Sequence, residues 1–200
     1  MRRYAFFGGS FNPPTMAHKE CAEAILKEMN LDKVFFVPVG DEYKKDGLIN
    51  EKYRYEMLKL LCENNNKLDV CDIELNKNIN FKAIDVFKLI NNIYENDEIY
   101  FIMGADNFKN ILDWKDSTEL ISKYKFILLN RNKIDLERLI CENEIFNKNR
   151  KNFYCISNIK EIEISSTYIR NKIKSGEICS IKNMIDARVL KFIEENNLYK

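Results

Sequence analysis

His18 is the only histidine in 200 residues, and it closes the segment Gly8-Gly9-Ser10-Phe11-Asn12-Pro13-Pro14-Thr15-Met16-Ala17-His18. An apolar run, Tyr4-Ala5-Phe6-Phe7, precedes the glycines, and a helical pattern follows them. A strand that turns through glycine into a helix start offers outward-pointing backbone N–H groups and the positive end of a helix dipole. Both favour a bound anion. A histidine in the first helical turn adds a side-chain donor to any phosphate held there. Alone, a histidine near a helix start is more often a surface or core residue than a catalytic one. The setting alters that weighting: the chain has only six glycines and three prolines, yet two of each fall in this turn. Pro13 and Pro14 fix φ and bias the residue before each away from the helical region, so the turn is stiff before a ligand arrives. Stiff, glycine-opened turns after a first strand are where α/β sheets bind nucleotides. Neither G-x-G-x-x-G nor G-x-x-x-x-G-K-S/T occurs, which removes the main support for dinucleotide-redox and P-loop chemistry.

Four more segments carry chemical potential. In the loop Val37-Pro38-Val39-Gly40-Asp41-Glu42-Tyr43-Lys44-Lys45-Asp46-Gly47, Lys44 and Lys45 could clamp a substrate phosphate, helped by Arg54, or could simply be solvated. Met103-Gly104-Ala105-Asp106 places a glycine where backbone can approach a ligand, and Asp106 where it can accept from a ribose. Trp114, the only tryptophan, is either core or a face for stacking on a flat heterocycle. In Ile164-Ser165-Ser166-Thr167-Tyr168-Ile169-Arg170 the serines suit a helix N-cap, and Arg170 sits about one turn inside, able to offer a charged fork to phosphate. Asn130-Arg131 is a weaker candidate facing the same cleft.

The elements that must position these groups alternate. Apolar runs at 3–7, 33–38, 68–73, 98–103, 124–129 and 152–156 read as strands; amphipathic stretches at 17–29, 52–62, 81–94, 117–123 and 136–146 read as helices. That order implies an α/β fold, a doubly wound parallel sheet, with ligands beyond the carboxyl ends of the strands. From about residue 157 to 200 the pattern is helical, at 166–174 and 186–196. The expectation is a single domain over 1–200 with a small C-terminal helical part.

Composition narrows the partners. With 32 basic and 31 acidic residues the net charge is +1, which argues against a nucleic-acid footprint or a basic membrane face. Six cysteines show no C-x-x-C pair and no metal spacing, and several lie in apolar runs, so buried reduced thiols are expected. No stretch approaches the roughly 18 apolar residues of a membrane span. The expectation is a soluble, cytoplasmic protein; whether it is a monomer or a homo-oligomer is left open.

Taken in order, these segments resemble the nicotinate/nicotinamide mononucleotide adenylyltransferases of the (H/T)-x-x-H nucleotidyltransferase superfamily. Gly8 to Pro13 with Thr15-Met16-Ala17-His18 is similar to the first signature, Gly104-Ala105-Asp106 and Trp114-Lys115-Asp116 to the G-A-D and W-K-D segments, and 164–170 to I-S-S-T-x-x-R. The resemblance runs from about Arg3 to Ile173. It departs where Thr15 stands for the histidine usual in bacterial members and where the 38–48 loop is closer to the eukaryotic nicotinamide type; no residue of 78–83 is carried over. The resemblance implies a Rossmann-like fold, ATP and a pyridine mononucleotide as substrates, and a Mg²⁺ ion held mainly by ATP phosphates. It implies that His18 donates to the α-phosphate while Thr15 and the turn at Gly8, Gly9, Ser10 and Phe11 bind the phosphates. Ser165 and Arg170 would hold the leaving pyrophosphate, and Ile164 would also bind ATP. Gly104 and Asp106 would face the adenosine, Trp114 would stack on the pyridine ring, and Lys44 or Lys45 would lie near the mononucleotide phosphate. The alternatives are a phosphopantetheine adenylyltransferase or a cytidylyltransferase, a class I tRNA-synthetase fragment, and a nucleotide-binding regulator without catalysis. The spacing of Trp114 from Gly104, the lack of a K-M-S-K-S loop, and the presence of both His18 and Arg170 weigh against them in turn.

Overall fold

The strand β1 (Arg3–Gly9) alternates its side chains between two cores, and this alternation organises the molecule. Ala5 and Phe7 join one buried cluster, Tyr4 and Phe6 the other. The computed structural model describes residues 1–75, 77, 81–130, 134–156 and 164–200. Around β1 lie β2 (Lys33–Pro38), β3 (Leu68–Val70), β4 (Glu98–Gly104), β5 (Lys125–Leu129) and β6 (Phe153–Ile156). They form one six-stranded sheet of order β3-β2-β1-β4-β5-β6, with every pairing among the described residues parallel. Strands buried on both faces need continuous apolar runs, which is what the sequence supplies.

The first core holds Ala22 and Ile25 from α1 (Met16–Glu28), Met57, Leu58 and Leu61 from α2 (Glu51–Cys62), and the inner faces of the two helices of the C-terminal part. The second holds the helices on the opposite face: α3 (Ala83–Ile93), α4 (Ala105–Lys109), α5 (Ser117–Lys123), α6 (Leu136–Glu142) and α7 (Glu144–Lys148). Each fully buried Leu, Ile or Phe contributes roughly 1.5–3 kcal/mol. The C-terminal pair, α8 (Ser166–Lys174) and α9 (Ala187–Glu195), contributes Ile169, Ile173, Val189 and Ile193 to the first core.

Three expectations need adjusting. The third strand stops at Val70, because the chain turns at 71–75 beside the sheet edge. The helix expected at 136–146 is two, since Asn143 leaves the helix and caps α7 by accepting from Ile145 and Phe146 N–H. The thiols are mixed: Cys21 and Cys62 are buried, but Cys141 and Cys179 are exposed. Among the described residues no helix is long and apolar enough to cross a membrane.

Candidate active site

The strand order reverses between β1 and β4. Phe7 pairs with Ile102, so these two strands run out side by side and end at Gly9 and Gly104. Such a reversal opens a crevice at the carboxyl edge. The glycine turn fills one wall. A Cβ on Gly8 would meet nothing within 4 Å, whereas one on Gly9 would sit 3.0 Å from the Phe11 ring. Phe11 takes a left-handed φ of 46°, and its ring is buried against Phe7, Phe36 and His18. Of the expected phosphate-turn residues, Phe11 therefore offers backbone only; its side chain belongs to the core.

Thr15 caps α1 and corrects another expectation. It is fully buried (0% exposed), so its hydroxyl does not face a phosphate. That oxygen accepts the His18 N–H at 3.4 Å and lies 2.8 Å from His18 Nδ1. The Thr15 backbone N–H donates to the same Nδ1 at 3.0 Å. A nitrogen that accepts from an obligate donor carries no proton itself, so neutral His18 holds its ring proton on Nε2. Thr15 thus holds the His18 ring at Nδ1 through both its backbone N–H and its hydroxyl.

Arg54 also changes role. The guanidinium is fully buried, with Nε donating to Ile49 O at 2.9 Å, Nη1 to Ser10 O at 3.2 Å and Nη2 to Asp41 at 3.4 Å. It ties the turn to the 41–49 loop instead of reaching a mononucleotide. Asp41 in turn accepts the Glu51 N–H at the start of α2, and Glu51 accepts from Asp41 N–H. Of the two lysines, Lys45 reaches the turn, donating to Ser10 Oγ at 3.2 Å; Lys44 is 85% exposed and faces Glu42. Gly40 is required by contact, since a Cβ there would lie 2.6 Å from Glu74 O. Burial pushes the Glu74 carboxyl up to about 7, while nearby Arg54 pulls the other way.

The second helix start meets the first. Ser165 caps α8 by accepting Tyr168 N–H, Ser166 Oγ donates to Pro13 O at 2.8 Å, and Arg170 Nη1 donates to Asn12 O at 2.8 Å. Half-buried Ile164 packs on the first core. Met16 N–H donates to Met184 O, so the first amide of α1 is engaged by the C-terminal part. Asn12, which sequence reasoning passed over, is the centre of this junction. It is 5% exposed; its Nδ2 donates to Gly47 O at 2.7 Å, and its Oδ1 accepts from Tyr199 OH at 2.8 Å and Ile49 N–H at 3.4 Å. An asparagine beside a proline in a glycine turn was a readable hint; Tyr199 gave none.

Across the crevice, Gly104 is the cap residue of α4 and Asp106 stands exposed in its first turn. Trp114 is half-buried against the second core, its backbone N–H donating to Ile111 O. Arg131 lies outside the described residues. No group of three or more His, Cys, Asp or Glu side chains that could hold a metal converges among the described residues.

Known proteins resemble this chain. The cytidylyltransferase-like family model matches residues 6–172. A probable nicotinate-nucleotide adenylyltransferase of Fusobacterium nucleatum is 33% identical, covering 96% of this chain and 97% of its own. One of Borrelia garinii is 35% identical over 98% and 94%. In structure, the Plasmodium falciparum nicotinic acid mononucleotide adenylyltransferase complexed with NaAD superposes with a TM-score of 0.81 over 100% of this chain and 98% of that one. At 23% identity that likeness speaks for the fold. The two bacterial matches, at such identity across nearly the whole of both chains, speak for descent, and they place this chain among the nicotinate-nucleotide adenylyltransferases of the cytidylyltransferase-like family.

Proposed function

We propose that this chain transfers the adenylyl group of ATP to the phosphate of a pyridine mononucleotide, releasing pyrophosphate and forming the dinucleotide of NAD biosynthesis. The relatives' names favour nicotinate as the pyridine. The observation that carries the reading is the docking of two helix starts on one turn: α8 reaches the 10–15 segment through Arg170–Asn12 and Ser166–Pro13, so His18 and Arg170 border a single crevice. A mononucleotide phosphate is already an anionic nucleophile, so the reaction asks for no strong general base. Its difficulty is bringing two anions together, and the protein's work is orientation and charge neutralisation. His18 Nε2–H donates to the α-phosphate as charge builds there; Arg170 and Ser165 hold the departing pyrophosphate. Lys45, already on Ser10, receives the mononucleotide phosphate. Gly104 and Asp106 face the ribose, and Trp114 offers its exposed side to the pyridine.

Magnesium comes with ATP. His18, Arg170 and Lys45 are donors to phosphate and fit an ion that would be carried in by ATP, where it would neutralise charge. Exposed thiols at Cys141 and Cys179 suit a reducing cytoplasm. The test is pyrophosphate release from ATP with nicotinate mononucleotide, nicotinamide mononucleotide, phosphopantetheine and a phospho-alcohol offered in turn. Release with a pyridine mononucleotide alone supports the reading; release only with another acceptor overturns it.

A further inference from the structure

Resting on that reading of the site, we propose that Tyr199 is a positioning residue for adenylyl transfer: its hydroxyl fixes the Asn12 side chain, and Asn12 holds both Arg170 and the 47–49 loop against the phosphate turn. Tyr199 follows α9, 187 positions from Asn12, yet its OH lies 2.8 Å from Asn12 Oδ1. Burial pushes its phenol well above the ordinary range, so the group remains an O–H donor at every working pH. As Oδ1 accepts from Tyr199, the amide NH₂ faces Gly47 O at 2.7 Å, and Ile49 N–H finds the same Oδ1 at 3.4 Å. The Ile49 contact is long, so Tyr199 supplies the shorter of the two hydrogen bonds to Oδ1, and with the Nδ2–Gly47 bond it sets which way this amide faces. The Asn12 backbone oxygen then takes Arg170 Nη1 at 2.8 Å. One residue, through its side chain and its backbone oxygen, thus connects the region after α9 to the groups proposed for both substrates. Leu198, buried in the first core, seats the neighbouring residue so that the ring arrives in place.

Tyr199→Phe removes one oxygen and leaves the ring. Its KM for ATP and for the mononucleotide should each rise about three- to tenfold, with kcat falling less and the melting temperature within a few degrees of wild type. A cycle with Arg170→Ala separates positioning from general support. If Tyr199 acts through the junction, the double variant should lose no more ATP affinity than Arg170→Ala alone. Amide exchange at 47–49 should accelerate in Tyr199→Phe. Substrate constants within twofold of wild type, strictly multiplicative losses in the cycle, or a Tyr199→Phe chain that does not fold would each overturn the proposal. Wild-type protein that fails to release pyrophosphate with a pyridine mononucleotide would instead overturn the functional reading beneath it.

Discussion

The Nδ1 atom of His18 receives the Thr15 backbone N–H, and this separates the roles of two residues that a motif treats alike. His18→Ala should lower kcat about 10²- to 10³-fold, the usual loss for one transition-state donor, with mononucleotide affinity little changed. Thr15→Ala should cost about 1 kcal/mol of stability as a lost helix cap and also lower kcat modestly, because the ring keeps the backbone N–H on Nδ1 but loses the hydroxyl beside it. Its Kd for ATP should hold, since the hydroxyl is buried; a marked loss of ATP affinity would return Thr15 to the phosphate. Trp114 invites a comparable separation. Half of it is packed on the second core, so Trp114→Ala should destabilise, though by less than the roughly 3–5 kcal/mol of a fully buried aromatic. If the exposed side stacks on pyridine, acceptor affinity should fall by about 0.5–1.5 kcal/mol with ATP binding nearly intact. Titration of the folded variant with mononucleotide decides this, and unchanged affinity removes the stacking role.

At the scale of elements, the loop after β3 carries the clearest pH signature. The Glu74 carboxyl is raised to about 7, above its unfolded value, by burial that Arg54 only partly offsets. A raised acid binds more protons folded than unfolded, so its contribution is favourable at low pH and is lost as pH climbs towards 7. Glu74→Gln should therefore match wild type near pH 4 and be more stable at pH 8, by roughly 1–2 kcal/mol after allowing for the solvent that reaches the group. Denaturant midpoints at the two pH values measure it; a Gln variant weaker at pH 8 would refute the burial argument. Elements like the six strands were legible because aromatic and β-branched runs cannot be hidden in a doubly buried sheet. The break at Asn143 was not, since apolar spacing continues through it and only the cap contacts reveal two helices. Nor was α4, whose five residues are too few for periodicity. Motif residues His18 and Arg170 could be read because their chemistry is local to one turn each. The inward rotation of Thr15, Phe11 and Arg54 could not, because it depends on what packs above them. Asn12 and Tyr199 meet across 187 positions, and no local pattern encodes that contact.

Over the whole molecule, the phosphate side of the crevice is assembled from the turn after β1, the loop before α2, the start of α8 and the segment after α9, all seated on one core. Ile169, Val189 and Ile193 of the C-terminal helices lie in the same buried cluster as Ala22 of α1 and Leu58 of α2. Stability of that part and integrity of the crevice are therefore one property. Ile193→Ala, at a side chain 1% exposed and remote in sequence from the phosphate turn, tests this. The lost contacts and the cavity should cost about 2–5 kcal/mol. Because the core is shared, unfolding should remain one transition, displaced to lower denaturant with its slope unchanged. Molecules still folded should turn over with a near-normal kcat, since no proposed catalytic group has moved. Saturating ATP should then restore part of the loss, by about 2.7 kcal/mol at a hundredfold excess over Kd, because ligand binds only the folded chain. Two separate transitions in Ile193→Ala, with activity lost in the first, would show instead that the C-terminal helices fold as a unit of their own.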